Sequence, residues 1–191
     1  MPNARTEPWP AAKTAAPSRP RDAQAIVTEL YRRHVHTSFK LALRYGGGDR
    51  DWAQDVVHDV FMEVHRHAAR LATMDNPGGW IYRATTSRCL NRLKRDRYLH
   101  SPVVRWALGQ RQRPQSSPEI LGATREELGR LFDAVNELPP KQRICFWMYH
   151  VDGKRQDEIG EVLGCRKSYV SKLLSRAERA MQAYRGEPEH G

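Results

Sequence analysis

Arg166, Lys167, Ser168, Ser171, Lys172 and Arg176 fall within one short stretch near the C-terminal end of the chain. Short hydroxyls and long cations in such a run suit one kind of chemistry, in which hydroxyl and guanidinium groups donate to base edges and cations pair with phosphates. At about 100° per residue, Ser168, Ser171, Lys172, Ser175 and Arg179 share one helix face, and Val170, Leu173, Leu174, Ala177, Ala180, Met181 and Tyr184 share the opposite one. The polar face lacks the Glu–Lys alternation of a merely solvated helix. Two elements must position it. The preceding stretch "QDEIGEVL" offers Ile159, Val162 and Leu163 as an inner face, with Gly160 small enough for close approach, and Gly164 tolerates a left-handed turn. The pattern is that of a helix-turn-helix, whose second helix reads bases through its N-terminal residues, with Arg176 toward the backbone. A plain helical hairpin with a solvated basic face is the alternative at this point.

Charge placement favours a polyanion partner. The 191 residues carry a formal net charge of +10, and the segment 81–113 holds nine basic side chains against one acidic, so most of the excess is local. The flanking segments 23–80 and 114–191 are balanced overall, yet from Arg166 to Arg185 six cations face only Glu178. Two basic helices therefore stand about seventy residues apart.

Helical periodicity accounts for both halves, and the expected fold is all-α: two small helical domains joined by a flexible linker, the second ending in the helix-turn-helix. Residues 1–22 hold five prolines and few large apolar groups and read as a disordered tail. In the first domain, 23–98, a helix through Ile26, Leu30, Val35, Leu41 and Tyr45 ends at Gly46–Gly48. A second, capped by Asp49 or Asp51, carries Trp52, Val56, Val57, Val60, Phe61 and Val64. A third starts at Asn76–Pro77 and runs through Trp80, Ile81, Ala84, Leu90 and Leu93, which puts Trp80 on the core stripe. Residues 99–122 read as the linker, with a short helical turn at 103–108. The second domain, 123–185, opens with a Thr124–Glu127 capping box, passes the Pro139–Pro140 break and closes with the helix pair; 186–191 are a tail.

Several chemistries lack their residues. Cys89, Cys145 and Cys165 form no ligand pair and read as reduced, buried thiols. His58, His65 and His67 show no metalloenzyme spacing, and no nucleophile motif or phosphate-binding glycine loop occurs, so the expectation is a non-enzyme without metal or cofactor. The longest apolar run, Ile144 to Tyr149, is about a third of a membrane span. With no secretory signal pattern at the N-terminus, a cytoplasmic protein without a membrane partner is expected.

The stretch "LPPKQRICFWMYHVDGKRQDEIGEVLGCRKSYVSKLLSRAERAM" resembles the minus-thirty-five-reading domain of bacterial sigma factors. "DWAQDVVHDVFMEVHRHAARLATMDNPGGWIYRATTSRCLNRLKR" is similar to their minus-ten-melting domain, in the family's order. With these two domains alone, the chain resembles the extracytoplasmic-function (ECF) type of the sigma-70 family. The resemblance implies a transcription initiation factor with core RNA polymerase, promoter DNA (duplex and non-template single strand) and an anti-sigma factor as partners. It implies polymerase contacts at Gln54, Asp55, Asp59 and Glu63 on the helix matching the family's clamp-docking helix. It implies minus-ten contacts at Thr73, Met74, Asp75 and Asn76 in the base-capturing loop, and at Arg83, Ser87, Arg88, Asn91, Arg92 and Arg95 on the helix beneath. Minus-thirty-five contacts are implied at Lys154, Arg155, Arg166, Lys167, Ser168, Ser171, Lys172 and Arg176. Three features depart from the family pattern: Ser87 where Asn is frequent, Arg166 where a small polar residue is common, and a basic linker where an acidic one is usual. The alternative is a helix-turn-helix regulator without sigma activity, which accounts for 124–184 and leaves the first domain unexplained.

Overall fold

The computed structural model describes residues 20–99 and 123–186. The Pro-rich tail before Pro20 and the linker, with its expected turn at 103–108, lie outside these residues. Eight α-helices make up the described residues: α1 (Pro20–Tyr45), α2 (Arg50–Arg66), α3 (Ala68–Ala72), α4 (Pro77–Leu99), α5 (Ala123–Glu137), α6 (Pro140–His150), α7 (Gln156–Leu163) and α8 (Lys167–Gly186). None of them is long and apolar enough to cross a membrane.

The N-terminal helices follow from local sequence. α1 begins three residues ahead of the expected start at Ala23, because Pro20 suits a first helical turn, where its missing N–H costs nothing. Asp49, rather than Asp51, caps α2: its Oδ1 accepts from the Trp52 amide at 2.9 Å. Replacing Asp49 by alanine is expected to cost about 1 kcal/mol and to lower the melting temperature by several degrees in thermal denaturation followed by circular dichroism. Asn76 Oδ1 likewise accepts from the Gly79 amide at 2.7 Å and starts α4. α3 was not anticipated. Its five residues are too short to show an apolar period, yet they bury Ala68 and Leu71.

α1, α2 and α4 enclose Leu30, Leu41, Tyr45, Val56, Val60, Val64, Ile81 and Cys89, all buried. The Thr85 hydroxyl donates to the Ile81 carbonyl at 2.8 Å and lies 3.3 Å from the Ser38 hydroxyl, which joins α4 to α1 through a small polar contact inside the core. In the C-terminal half, α5 and α6 bury Val135, Ile144, Cys145 and Met148 against Ile159, Val170, Leu173 and Leu174 of the closing pair.

The two halves, expected as separate domains on a flexible linker, pack on one another and share one continuous apolar core. Polar contacts hold the seam. Arg44 at the end of α1 pairs with Asp152, just after α6, and lies 5.9 Å from the centre of the Trp147 ring. Arg143 Nη1 donates to the Tyr45 carbonyl at 3.2 Å. Burial lowers the pKa of that guanidinium to about 10, so it stays charged at neutral pH.

Candidate nucleic-acid interface

The helix-turn-helix is built as its residue types require. Gly164 has φ +62° and ψ +43°, in the left-handed region, and the Cys165 amide closes the turn on the Gly160 carbonyl at 2.9 Å. A Cβ on Gly160 would sit 2.6 Å from the Cys165 carbonyl oxygen, so no larger residue fits without moving backbone. α8 turns Val170, Leu173, Leu174, Ala177 and Met181 into the core and leaves Arg166, Lys167, Ser168, Ser171, Lys172, Ser175 and Arg176 exposed on its outer side. Ala180 departs from the expected stripe and is exposed, between the buried Ala177 and Met181. The Tyr184 side chain and the Thr124–Glu127 box lie outside the described side chains.

The two remaining residues of the expected minus-thirty-five set do not join this strip. Lys154 Nζ lies 4.7 Å from the centre of the Tyr82 ring on α4, drawn there because the halves are packed together. Arg155 precedes α7, its amide donates to Glu158 at 2.7 Å, and its exposed guanidinium lies 3.4 Å from Asp157. Arg155 thus caps the start of α7, whereas Lys154 lies toward α4.

A second polar surface lies between α3, the loop after it and α4. A cleft of about 810 Å³ is lined by Thr73, Met74, Asp75 and Asn76 on one side and by Arg83, Ser87, Arg88 and Asn91 on the other. Eight of the ten residues expected at the minus-ten strand thus meet in one place. Arg92 and Arg95 do not. Arg92 packs 5.3 Å from the Trp52 ring centre and pairs with Asp55 at 2.8 Å, and Arg95 points to Asp96 at 3.8 Å. Trp80 packs against the core, as its place on the apolar stripe implies, and being half-buried it also lines the cleft, with its ring edge-on to His67 at 6.0 Å. An aromatic wall beside cations is suited to stacking an unpaired base above a tracked phosphate. Arg70 also lines the cleft and was missed: it sits on the short α3, which gave no periodic signal.

The acidic face of α2 is only partly free. Gln54 and Asp59 are exposed, whereas Asp55 and Glu63 are paired with the α4 arginines Arg92 (2.8 Å) and Arg88 (3.0 Å). Residues expected to meet one partner therefore neutralise residues expected to meet another. The cysteines are free. Cys89 and Cys145 are buried, which pushes the Cys145 thiol up to about 12, and Cys165, expected to be buried, is half-buried.

The described residues are thus helices and their connections, with a polar cleft carrying three arginines in one half and a helix-turn-helix in the other. Family comparison agrees: the model described as Sigma-70 region 2 matches residues 30–98, and that described as Sigma-70, region 4 matches residues 128–181. The ECF RNA polymerase sigma factor SigE of Mycolicibacterium smegmatis is 25% identical over 159 residues, covering 82% of this chain and 60% of that protein. The probable ECF RNA polymerase sigma factor SigI of Mycobacterium tuberculosis is 24% identical over 163 residues, covering 83% of this chain and 55% of that protein. The chain thus spans little more than half the length of these curated relatives. Among solved structures, the sigma factor RpoE from Bartonella quintana, in complex with the anti-sigma factor NepR, has the same fold (TM-score 0.62, 15% identity, 85% of this chain and 98% of that one). So has CnrH in complex with the cytosolic domain of CnrY (TM-score 0.52, 22% identity, 85% and 91%). The chain belongs to the sigma-70 family, within its extracytoplasmic-function group.

Proposed function

We propose that the chain is a transcription initiation factor that binds core RNA polymerase in the cytoplasm, reads a minus-thirty-five duplex with α8 and helps open the minus-ten region at the cleft beneath the 73–76 loop. The observation that supports this reading is the co-existence on one chain of an exposed strip of cations and hydroxyls on α8 and a polar cleft at α4. The exposed strip of α8 suits a major groove, and the cleft lined by Trp80 and the α4 cations suits an extruded base. A regulator that only bound duplex would need the first surface alone. No catalytic group is required, because binding of unstacked bases and single-strand phosphates can drive strand opening. The ECF RNA polymerase sigma factor relatives support core polymerase as a partner, and the complex of RpoE with the anti-sigma factor NepR supports an anti-sigma factor as another.

Run-off transcription with core polymerase on fragments of the source genome tests the proposal. Specific initiation that depends on the added chain is the expected result. Duplex binding without initiation would leave the regulator reading instead. The α2 surface has its own test: Asp55→Ala with Asp59→Ala is expected to weaken core binding about tenfold or more, read by fluorescence anisotropy of labelled chain titrated with core. Unchanged affinity removes α2 from the polymerase contact.

A further inference from the structure

We propose that the groove between α1 and α2 is an intramolecular docking site for the Pro8–Trp9–Pro10 segment of the chain's own N-terminal tail, and that the docked tail competes with core RNA polymerase for the α2 face. The competition rests on the reading of α2 as a polymerase contact; the docking does not.

The groove has a volume of about 470 Å³, within the roughly 300–1,000 Å³ of ligand sites. Tyr31, Val35 and Phe39 form one wall on α1, and Val57, His58 and Phe61 form the other on α2. Residues four apart sit on successive turns, so the α1 wall is a continuous apolar ridge. The Tyr31 ring stands edge-on to Phe61 at 4.9 Å and is 48% exposed. Every lining residue comes from α1 or α2.

The sequence ahead of α1 matches such a surface. Trp9 is the one aromatic residue before Pro20, and it lies between two prolines in "EPWP". Each proline fixes its own φ and holds the residue before it in the extended region, so this stretch loses little entropy on docking. Aromatic-lined grooves take extended proline-rich segments of this kind. Charge adds to the fit: residues 1–19 hold Arg5, Lys13 and Arg19 against Glu7, and the exposed Asp55 and Asp59 follow the lining residues Gln54 and His58 along α2.

The tether has the right length. Val35, in the middle of the α1 wall, lies fifteen residues along the helix from Pro20, about 22 Å at ~1.5 Å per residue. Trp9 is eleven residues from Pro20, and a flexible chain of that length spans roughly 17–20 Å on average and about 36 Å at most. A span that matches the mean reach gives an effective concentration of millimolar order. The chain's own tail is thus a stronger occupant than the same segment of a second copy at micromolar concentration.

Gln54 belongs to both surfaces, since it lines the groove and is one of the expected polymerase contacts. A docked tail covers it and sets cations beside Asp55 and Asp59, so tail and polymerase exclude one another on α2. The affinity for polymerase is then reduced by the fraction of chains whose groove is empty.

The test uses the full chain labelled with 5-fluorotryptophan, in which the fluorine-19 signal lost in Trp9→Phe assigns Trp9. That signal is expected to be displaced from its position in a free peptide of residues 1–19 at every protein concentration. It should return to the free position in Tyr31→Ala, with helical content by circular dichroism intact. A Trp9 signal at the free position in the unsubstituted chain overturns the docking. A displacement that vanishes on dilution assigns the groove to the tail of a second copy, and one that survives Tyr31→Ala puts Trp9 elsewhere; either overturns it too. Trp9→Ala is expected to tighten core binding about tenfold, read by fluorescence anisotropy of labelled chain titrated with core. Unchanged affinity overturns the competition. If Asp55→Ala with Asp59→Ala also leaves core binding unchanged, the polymerase reading of α2 has failed and the competition falls with it, while the docking stands on the fluorine signal.

Discussion

Lys172→Ala combined with Arg176→Ala is expected to weaken binding to duplex promoter DNA roughly tenfold to a hundredfold at moderate salt and to lower the slope of log affinity against log salt by about two. Both side chains are exposed on the outer strip of α8, opposite the buried Val170, Leu173, Leu174 and Ala177, so their removal takes away cations without opening the core. The slope matters more than the midpoint. A lost phosphate contact releases fewer counterions and flattens the salt dependence, whereas a misfolded variant loses binding at every salt concentration alike. Anisotropy titrations over a salt series, with melting temperature as the control, separate the two. Unchanged affinity and slope would remove α8 from the recognition role. Ser168→Ala and Ser171→Ala, which touch no charge, should leave the slope alone and alter only sequence preference.

Gly160→Val is the substitution expected to cost most stability for its size. The added Cβ alone would lie 2.6 Å from the Cys165 carbonyl oxygen, a backbone atom held by the turn that Gly164 makes. Relief requires α7 and α8 to move apart, which disturbs Ile159 against Val170 and Leu173 in the shared core. A loss of about 3 kcal/mol is expected, seen as a fall of roughly ten degrees or more in melting temperature. Gly164→Ala is the useful comparison. Nothing lies within 4 Å of a Cβ there, so only the left-handed backbone at φ +62° opposes it, at about 1 kcal/mol. If the two variants melt together, the close approach at Gly160 is not what limits the helix pair.

Much of this architecture was legible because it is local. Apolar residues three and four apart define α2, α4 and α8, the Asn76–Pro77 pair marks the start of α4, and Gly164 marks the turn before α8. The cleft was legible only through family resemblance: no period in "ATMDNPGG" announces a pocket, and its use of Trp80 and Arg70 shows once α3 and α4 are folded together. What could not be read was the seam. Arg44 and Asp152 are 108 residues apart and Tyr82 and Asp152 are 70 apart, with the linker between. In the sequence Asp152 is simply the polar residue before Gly153 at the end of a helix. Lys154 is alike: its charge is visible in the sequence, while the Tyr82 ring that it lies against in the fold is not.

The pairs Asp55–Arg92 and Glu63–Arg88 bind α2 to α4 across the N-terminal half. On the proposed reading, each carboxylate is wanted by the polymerase and each arginine by the promoter. A polymerase group that claims Asp55 or Glu63 sets one positive charge on α4 at liberty for DNA. By thermodynamic reciprocity, DNA that claims Arg92 or Arg88 makes α2 a more acidic docking face by the same free energy. Assembly on either side thus primes the other, and the chain binds least avidly to both when it is alone.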